Sequence, residues 1–245
     1  MSSQHPTSPG ESSGTQRPRR GVVSYVHRGG RMTVGQQNAW ERGWGRYGRD
    51  IAELPPGRLD LDAWFGRQAP VVLEIGSGMG ETTAELAYNA PDLNHLAVEV
   101  YAAGLGQLLL RAEKLELDNL RLLRGDAVVL LREHLAPESL HQVRIFYPDP
   151  WPKKRHHKRR LIQPEFVSLL ASRIDRGGTL HLATDWQDYA EQMREVCEAE
   201  PLLHNPHARQ PGGWAPRPVW RPVTKFESRA ESEGRVSRDL ILERV

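Results

Sequence analysis

"PVVLEIGSGMGETTAELA", residues 70–87, decides the fold. An apolar run broken only by Glu74, Val71–Ile75, reads as a short buried strand. A turn carrying Gly76, Gly78 and Gly80 follows, and Glu81–Asn89 reads as a helix. Glycines at such a turn permit positive φ and let backbone N–H groups approach a ligand at the helix N-terminus. Downstream the alternation repeats. "HLAVEV" (95–100) is a strand, "AAGLGQLLLRAEKL" (102–115) a helix, "NLRLLRGD" (119–126) a strand, residues 128–134 a short helix and "VRIFYPDPW" (143–151) a strand. Pro164 suits a helix first turn, with residues 165–174 helical, before the strand "GGTLHLATD" (177–185). In "WQDYAEQMREVC" (186–197) apolar positions recur at helical spacing. Residues 201–222 hold six prolines and read as loop, and the chain ends in a last strand. Alternating strands and helices of this length predict an α/β fold with a doubly wound, mostly parallel sheet.

Lys plus Arg number 33 and Asp plus Glu 31, so the net charge of +2 says little about partners. The distribution says more. From Lys153 to Arg160 six of eight residues are Lys or Arg, the others are His156 and His157, and none is acidic. Residues 17–49 hold eight arginines against one glutamate. Two such segments on a near-neutral chain point to a local anionic partner, although either run alone also fits a solvated face. The single cysteine, Cys197, excludes a disulfide framework and a cysteine-based zinc site; no metal is expected, and a reducing cytoplasm fits. Cys197 lies on the apolar side of its helix and reads as core filler. No apolar stretch is long enough to span a membrane, and the Ser/Gly/Pro-rich start lacks a signal peptide's apolar middle. Residues 1–20 are expected to be a disordered tail, 21–65 a basic, irregular arm with one short helix, and 66–245 the folded domain.

The glycine turn alone is a weak signal, since a dinucleotide site would place a third glycine where Glu81 stands. Three acids sharpen it. Glu74 lies at the end of the first strand, where an anion repels a pyrophosphate but attracts a positive cofactor. Glu99 ends "AVEV", the position from which a carboxylate accepts from ribose hydroxyls, and Asp126 ends "RGDA", within reach of an adenine amino group. Singly, Glu99 and Asp126 also fit loop caps. Jointly the three suit S-adenosyl-L-methionine, which carries a sulfonium and no phosphate.

"IFYPDPWPKKRHHKRRLIQPEFV" (145–167) places Asp149 before Pro150 and Trp151 before Pro152, so both are expected to be extended, with no helix beginning there. Asp149 then stands at the carboxyl end of a strand, the usual site edge of an open α/β sheet, with the basic run at its rim. "LEIGSGMG", "VEV", "GDA", "FYPDPWPKKRHHKRR", "ATDW" and "TKFESR" together resemble the bacterial tRNA (guanine-N7)-methyltransferase family, in order and along residues 22–245. PDPW with its basic run and the terminal TKFE are the discriminating pieces. The resemblance implies a class I methyltransferase (Rossmann-like) fold with a mostly parallel seven-stranded sheet, and methylation of N7 of a guanosine in the tRNA variable loop. It implies that Glu74, Gly76, Gly78, Glu99, Asp126 and Asp149 bind the cofactor, with Asp149 also catalytic. Lys153, Asp185, Thr224, Lys225, Phe226 and Glu227 would contact the substrate, and Arg155, His156, His157, Lys158, Arg159 and Arg160 the RNA. Ala230 and Arg235 stand where the family pattern has glycine and histidine.

The chemistry agrees. N7 of guanine carries a lone pair at neutral pH, so no base must first remove a proton. Such a site needs proximity, a dry pocket and negative charge near a ring that becomes positive. Asp185 or Glu227 could accept from the guanine N1–H and N2–H₂ donors, though Asp185 also fits a helix N-cap. Two other readings stay open: methylation of an exocyclic amine, which a related D-P-P-[YF] element serves, and a non-catalytic RNA-binding protein on the same scaffold. Monomer and homodimer are both compatible with the sequence.

Overall fold

The computed structural model describes residues 30–245; the expected disordered tail and the first part of the arm lie outside the described residues. The chain opens with α1 (Val34–Tyr47), whose N-terminus is closed by a reciprocal capping box between Thr33 and Gln36. β1 (Gly48–Asp50) and the short α2 (Leu61–Phe65) follow. Then come β2 (Val71–Ile75), α3 (Glu81–Asn89), β3 (Asn94–Glu99), α4 (Ala102–Lys114) and β4 (Leu120–Arg124). α5 (Ala127–Val129) runs into one π-helical turn, Leu130–His134, before β5 (Leu140–Phe146). The second half holds α6 (Pro164–Ala171), β6 (Ile174–Thr184), α7 (Gln187–Glu198), the two-residue β7 (Leu203–His204), α8 (Lys225–Ser232) and β8 (Arg238–Arg244).

The sheet has eight strands in the order β1-β4-β3-β2-β5-β6-β8-β7, parallel except where β8 meets β6 and β7. The expectation of seven strands is therefore corrected. Seven form the doubly wound core, and β1 adds an eighth by pairing in parallel with the outer edge of β4. Much of the described arm is regular rather than irregular. α1 packs along α4, with Gln36 donating to Gln107 at 3.1 Å and Arg42 paired with Glu113 at 2.8 Å. Gly43 lets the helices approach, since a Cβ there would stand 3.2 Å from Leu109.

The central strands are buried on both faces, as a parallel sheet between helices requires: Leu73, Leu96, Leu122, Val143 and Leu182 have essentially no exposure. α7 turns Tyr189, Ala190, Met193 and Cys197 inward. Burial pushes the Cys197 thiol up to about 12, so it stays protonated and apolar. Among the described residues no helix is long and apolar enough to cross a membrane. Strand order reverses at β2, whose neighbours are β3 on one side and β5 on the other. Crossovers leaving in opposite directions open a crevice at the carboxyl ends of those strands, where α/β sheets bind ligands.

Candidate active site

A pocket occupies that crevice. Its wall takes Ile75, Gly76 and Gly78 from the end of β2, Val98 to Tyr101 from β3, Gly125 to Ala127 from β4, and Ile145 to Asp149 from β5; Leu161 and Phe226 close it. Gly76, Gly78 and Gly80 all have positive φ, so the turn takes a path closed to most side chains. The turn also needs a bare neighbour. A Cβ on Gly104, in the first turn of α4, would fall 2.1 Å from the Gly78 carbonyl oxygen. Nothing local in the sequence flagged Gly104, because the contact joins the first turn of α4 to the distant glycine turn.

Glu99 accepts from the backbone N–H groups of Gly78 at 2.8 Å, Val100 at 2.7 Å and Tyr101 at 2.9 Å. A carboxylate offers about four acceptor sites, so three fix the group and one remains for a ligand hydroxyl. Asp126 is both cap and wall: one oxygen accepts from Val128 N–H at 2.8 Å, and the residue lines the pocket. Glu74 lies inside the end of β2, as expected, and is not among the residues of the wall. It is buried one residue deeper, in register with Arg144 on β5. Burial raises its pKa, against the opposing pull of the Thr83 hydroxyl and Arg144.

Asp149 lies on the wall, flanked by two aromatics with left-handed backbones, Tyr147 (φ 52°) and Trp151 (φ 44°). Trp151 was expected to be extended. A following proline penalises the right-handed helical region, and here the residue escapes to positive φ instead. The kink sets its ring edge-on to His156 at 5.9 Å and beneath the Arg159 guanidinium at 5.0 Å. The basic run forms a short 3-10 turn, Lys154–Arg159, with none of its residues buried. Lys153, Arg155, Lys158 and Arg159 are exposed. His157 is half-buried, its Nε2 3.6 Å from Asp188. Partial burial, then the positive charges of Arg155 and Arg159, push the His156 pKa down. Arg160 turns the other way, which corrects its place in the RNA-facing set. It is 3% exposed and donates to the Pro150 carbonyl at 2.8 Å, Gln192 at 2.7 Å and Asp188 at 2.7 Å. Arg160 anchors the loop that carries Asp149.

Three carboxylates, Glu99, Asp126 and Asp149, and no lysine or arginine line the pocket among the described residues. That donor set repels phosphate and suits a ligand with hydroxyls and a positive charge, as S-adenosyl-L-methionine has. Comparison with known proteins agrees. The family model Methyltransf_4, "Putative methyltransferase", matches residues 68–240. The tRNA (guanine-N(7)-)-methyltransferase of Bordetella pertussis is 52% identical over 91% of this chain and 85% of its own length. That of Chromohalobacter salexigens is 48% identical over 98% and 94%. The chain belongs to the tRNA (guanine-N7)-methyltransferase family. Among solved structures, the aminoglycoside resistance methyltransferase NpmB1 (TM-score 0.52, 16% identical, 78% of this chain and 95% of that one) shares the fold. So does the 16S rRNA methyltransferase KamB (TM-score 0.52, 15% identical, 80% and 99%).

The family's terminal motif divides its work between surface and interior. Thr224 caps α8 by accepting from Glu227 N–H at 3.0 Å. Lys225 pairs with Glu81 at 2.9 Å, tying α8 to the start of α3. Phe226 alone of the four lines the pocket. Glu227 is 1% exposed; Oε1 accepts from Arg217 and Arg221 at 2.8 Å each, and Oε2 from Arg221 at 2.9 Å. Both oxygens are engaged by guanidinium groups and the residue lies behind the pocket wall, so in this structure Glu227 holds Arg217 and Arg221 in place. Asp185 is not a helix cap either, since Trp186 holds that position in α7. Its Oδ2 accepts from Arg235 at 2.7 Å, so the arginine that departs from the family pattern fastens the terminal loop to the end of β6. Arg221, missed in the sequence, is fully buried and also pairs with Asp239 at 2.9 Å.

Proposed function

We propose that this chain transfers a methyl group from S-adenosyl-L-methionine to N7 of a guanosine in the variable loop of tRNA, in the cytoplasm. The observation that carries the reading is one pocket wall that joins Glu99, Asp126 and Asp149, with an exposed basic turn leaving the same loop as Asp149. Family membership supports it, since the similar chains are named for that activity.

The cofactor supplies an electrophilic methyl group on a sulfonium. Glu99, with an acceptor site to spare, and Asp126 would hold its polar end, while Val98, Val100 and Leu161 keep the pocket apolar. Asp149 contributes negative charge beside the acceptor ring, where positive charge appears during transfer. No residue need take a proton, because N7 attacks with a lone pair it already has. Lys153, Arg155, Lys158 and Arg159 hold the RNA backbone, and the exposed edge of the turn leaves them open to phosphates. Asp185 keeps Oδ1 to accept from the N1–H or N2–H₂ of guanine, a contact adenine does not offer in the same pattern.

The test is transfer of labelled methyl groups into mixed tRNA, beside calorimetry with the cofactor. The account expects micromolar-range or tighter cofactor binding, on the order of −8 kcal/mol, and label in tRNA. Binding of RNA with neither cofactor heat nor label would leave an RNA-binding protein on a methyltransferase scaffold.

A further inference from the structure

Tyr147 is a wall residue to which neither the sequence analysis nor the proposed function gives a role. Its ring faces Phe226 across the pocket, nearly parallel at 22°, with centroids 6.1 Å apart. Its backbone sits at φ 52°, a conformation aromatic residues rarely adopt. Several bonds hold it there. The Tyr147 N–H donates to the Ala183 carbonyl at 2.8 Å, and its hydroxyl lies 2.9 Å from the Ser237 hydroxyl. Arg221 donates to the same hydroxyl at 3.4 Å. Arg221 also grips Glu227, the residue after Phe226, so one buried guanidinium ties both rings to β8. Phe226 itself is 57% exposed, at the start of α8.

We propose that Tyr147 and Phe226 form a slot for the target base, with Tyr147 as its fixed face. A base stacked on both sides must fit as a full aromatic layer between the two rings. With centroids 6.1 Å apart the rings do not yet hold that layer, and the exposed Phe226 ring makes room by swinging outward. Enzymes that modify a base take it from its stack into such a pocket. Stacking uses only the faces of the base, so it leaves N7 and the Watson–Crick edge free to meet the carboxylates. Asp149 stands two residues from Tyr147 on the same wall.

This inference rests on the proposed function, and its test separates the two. A variable-loop RNA carrying 2-aminopurine at the target position is titrated into the parent, Tyr147→Phe, Tyr147→Leu and Tyr147→Ala proteins. Stacking quenches its fluorescence. The parent and Tyr147→Phe should quench alike, while Tyr147→Leu and Tyr147→Ala should lose most of the quench. With unmodified RNA those two variants should lose about tenfold or more in kcat/KM, the scale of one base–aromatic stack, while Tyr147→Phe stays close to the parent. Equal quenching by the parent and a folded Tyr147→Leu would overturn the slot. Loss of cofactor binding in Tyr147→Leu with quenching retained would also overturn it, assigning the ring to the cofactor. No quench in the parent would instead defeat the proposed target.

Discussion

Asp149 carries the sharpest claim at the scale of single residues. Asp149→Asn keeps the shape and removes the charge, so single-turnover methyl transfer on pre-bound tRNA should slow by about 10²-fold or more. tRNA affinity should survive, because the basic side chains proposed to hold phosphates lie outside the pocket wall. A variant with parental rate would leave Asp149 a turn residue. Glu99→Ala removes a hydroxyl acceptor and three ties that hold the glycine turn. Cofactor affinity should fall by at least about 1–3 kcal/mol by calorimetry; unchanged affinity would remove Glu99 from the site. The positions of Glu99, Asp126 and Asp149 were legible in the sequence because strand ends in an α/β array converge by topology. Glu74 also lies where its strand puts it, but the sequence does not show that it is buried behind the wall rather than on it. Burial of Glu227 depends on Arg217 and Arg221, which come from a proline-rich loop without periodicity. No local pattern announces such a pairing.

Among the elements, the basic turn after β5 splits into an outward and an inward part. Neutralising Arg155, Lys158 and Arg159 together should weaken tRNA binding and lower its salt slope by roughly 3 units at most. Cofactor affinity should stay put. Arg160→Ala should do the reverse, leaving the salt slope near the parent while costing about 1–3 kcal/mol of stability through lost charged hydrogen bonds. Salt-series binding and thermal melts separate the two. Helices and strands of the central array were legible from hydrophobic period and turn residues. α1 was underestimated, although Thr33 and Gln36 spell a capping box three residues apart. β1 was out of reach: three residues, Gly-Arg-Asp, have no strand signature, and only the open edge of β4 makes them one.

Across the molecule, the α8 region is fastened to the sheet by a row of charge that runs inward from exposed Arg217 through buried Glu227 and Arg221 to Asp239, which also bonds His181. Burial opposes ionisation of Glu227, but hydrogen bonds from Arg221 and Arg217 outweigh it and hold its carboxyl below the ordinary value of 4.5. A carboxyl depressed on folding adds stability that is present above that ordinary value and lost as pH falls through the lower folded one. Glu81 and Glu233 are shifted the same way by Lys225 and by Arg229 with Arg235, so they add in the same direction. Melting temperature should therefore fall as pH drops below about 4.5, and Glu227→Gln should be less stable at neutral pH with a flatter acid limb. A parallel acid limb would detach Glu227 from that effect.

The whole arrangement, an acid-lined pocket beside a basic turn, has one purpose in this account: to bring N7 of a guanine to a methyl group without deprotonating anything. Chemical mapping of the methylated atom tests that most directly. tRNA methylated by the purified protein is reduced with borohydride and treated with aniline, which cleaves the chain at 7-methylguanosine. The account predicts one new cleavage, at a variable-loop guanosine, in proportion to the methyl label incorporated. Label that resists cleavage and is recovered on an exocyclic amine would contradict it.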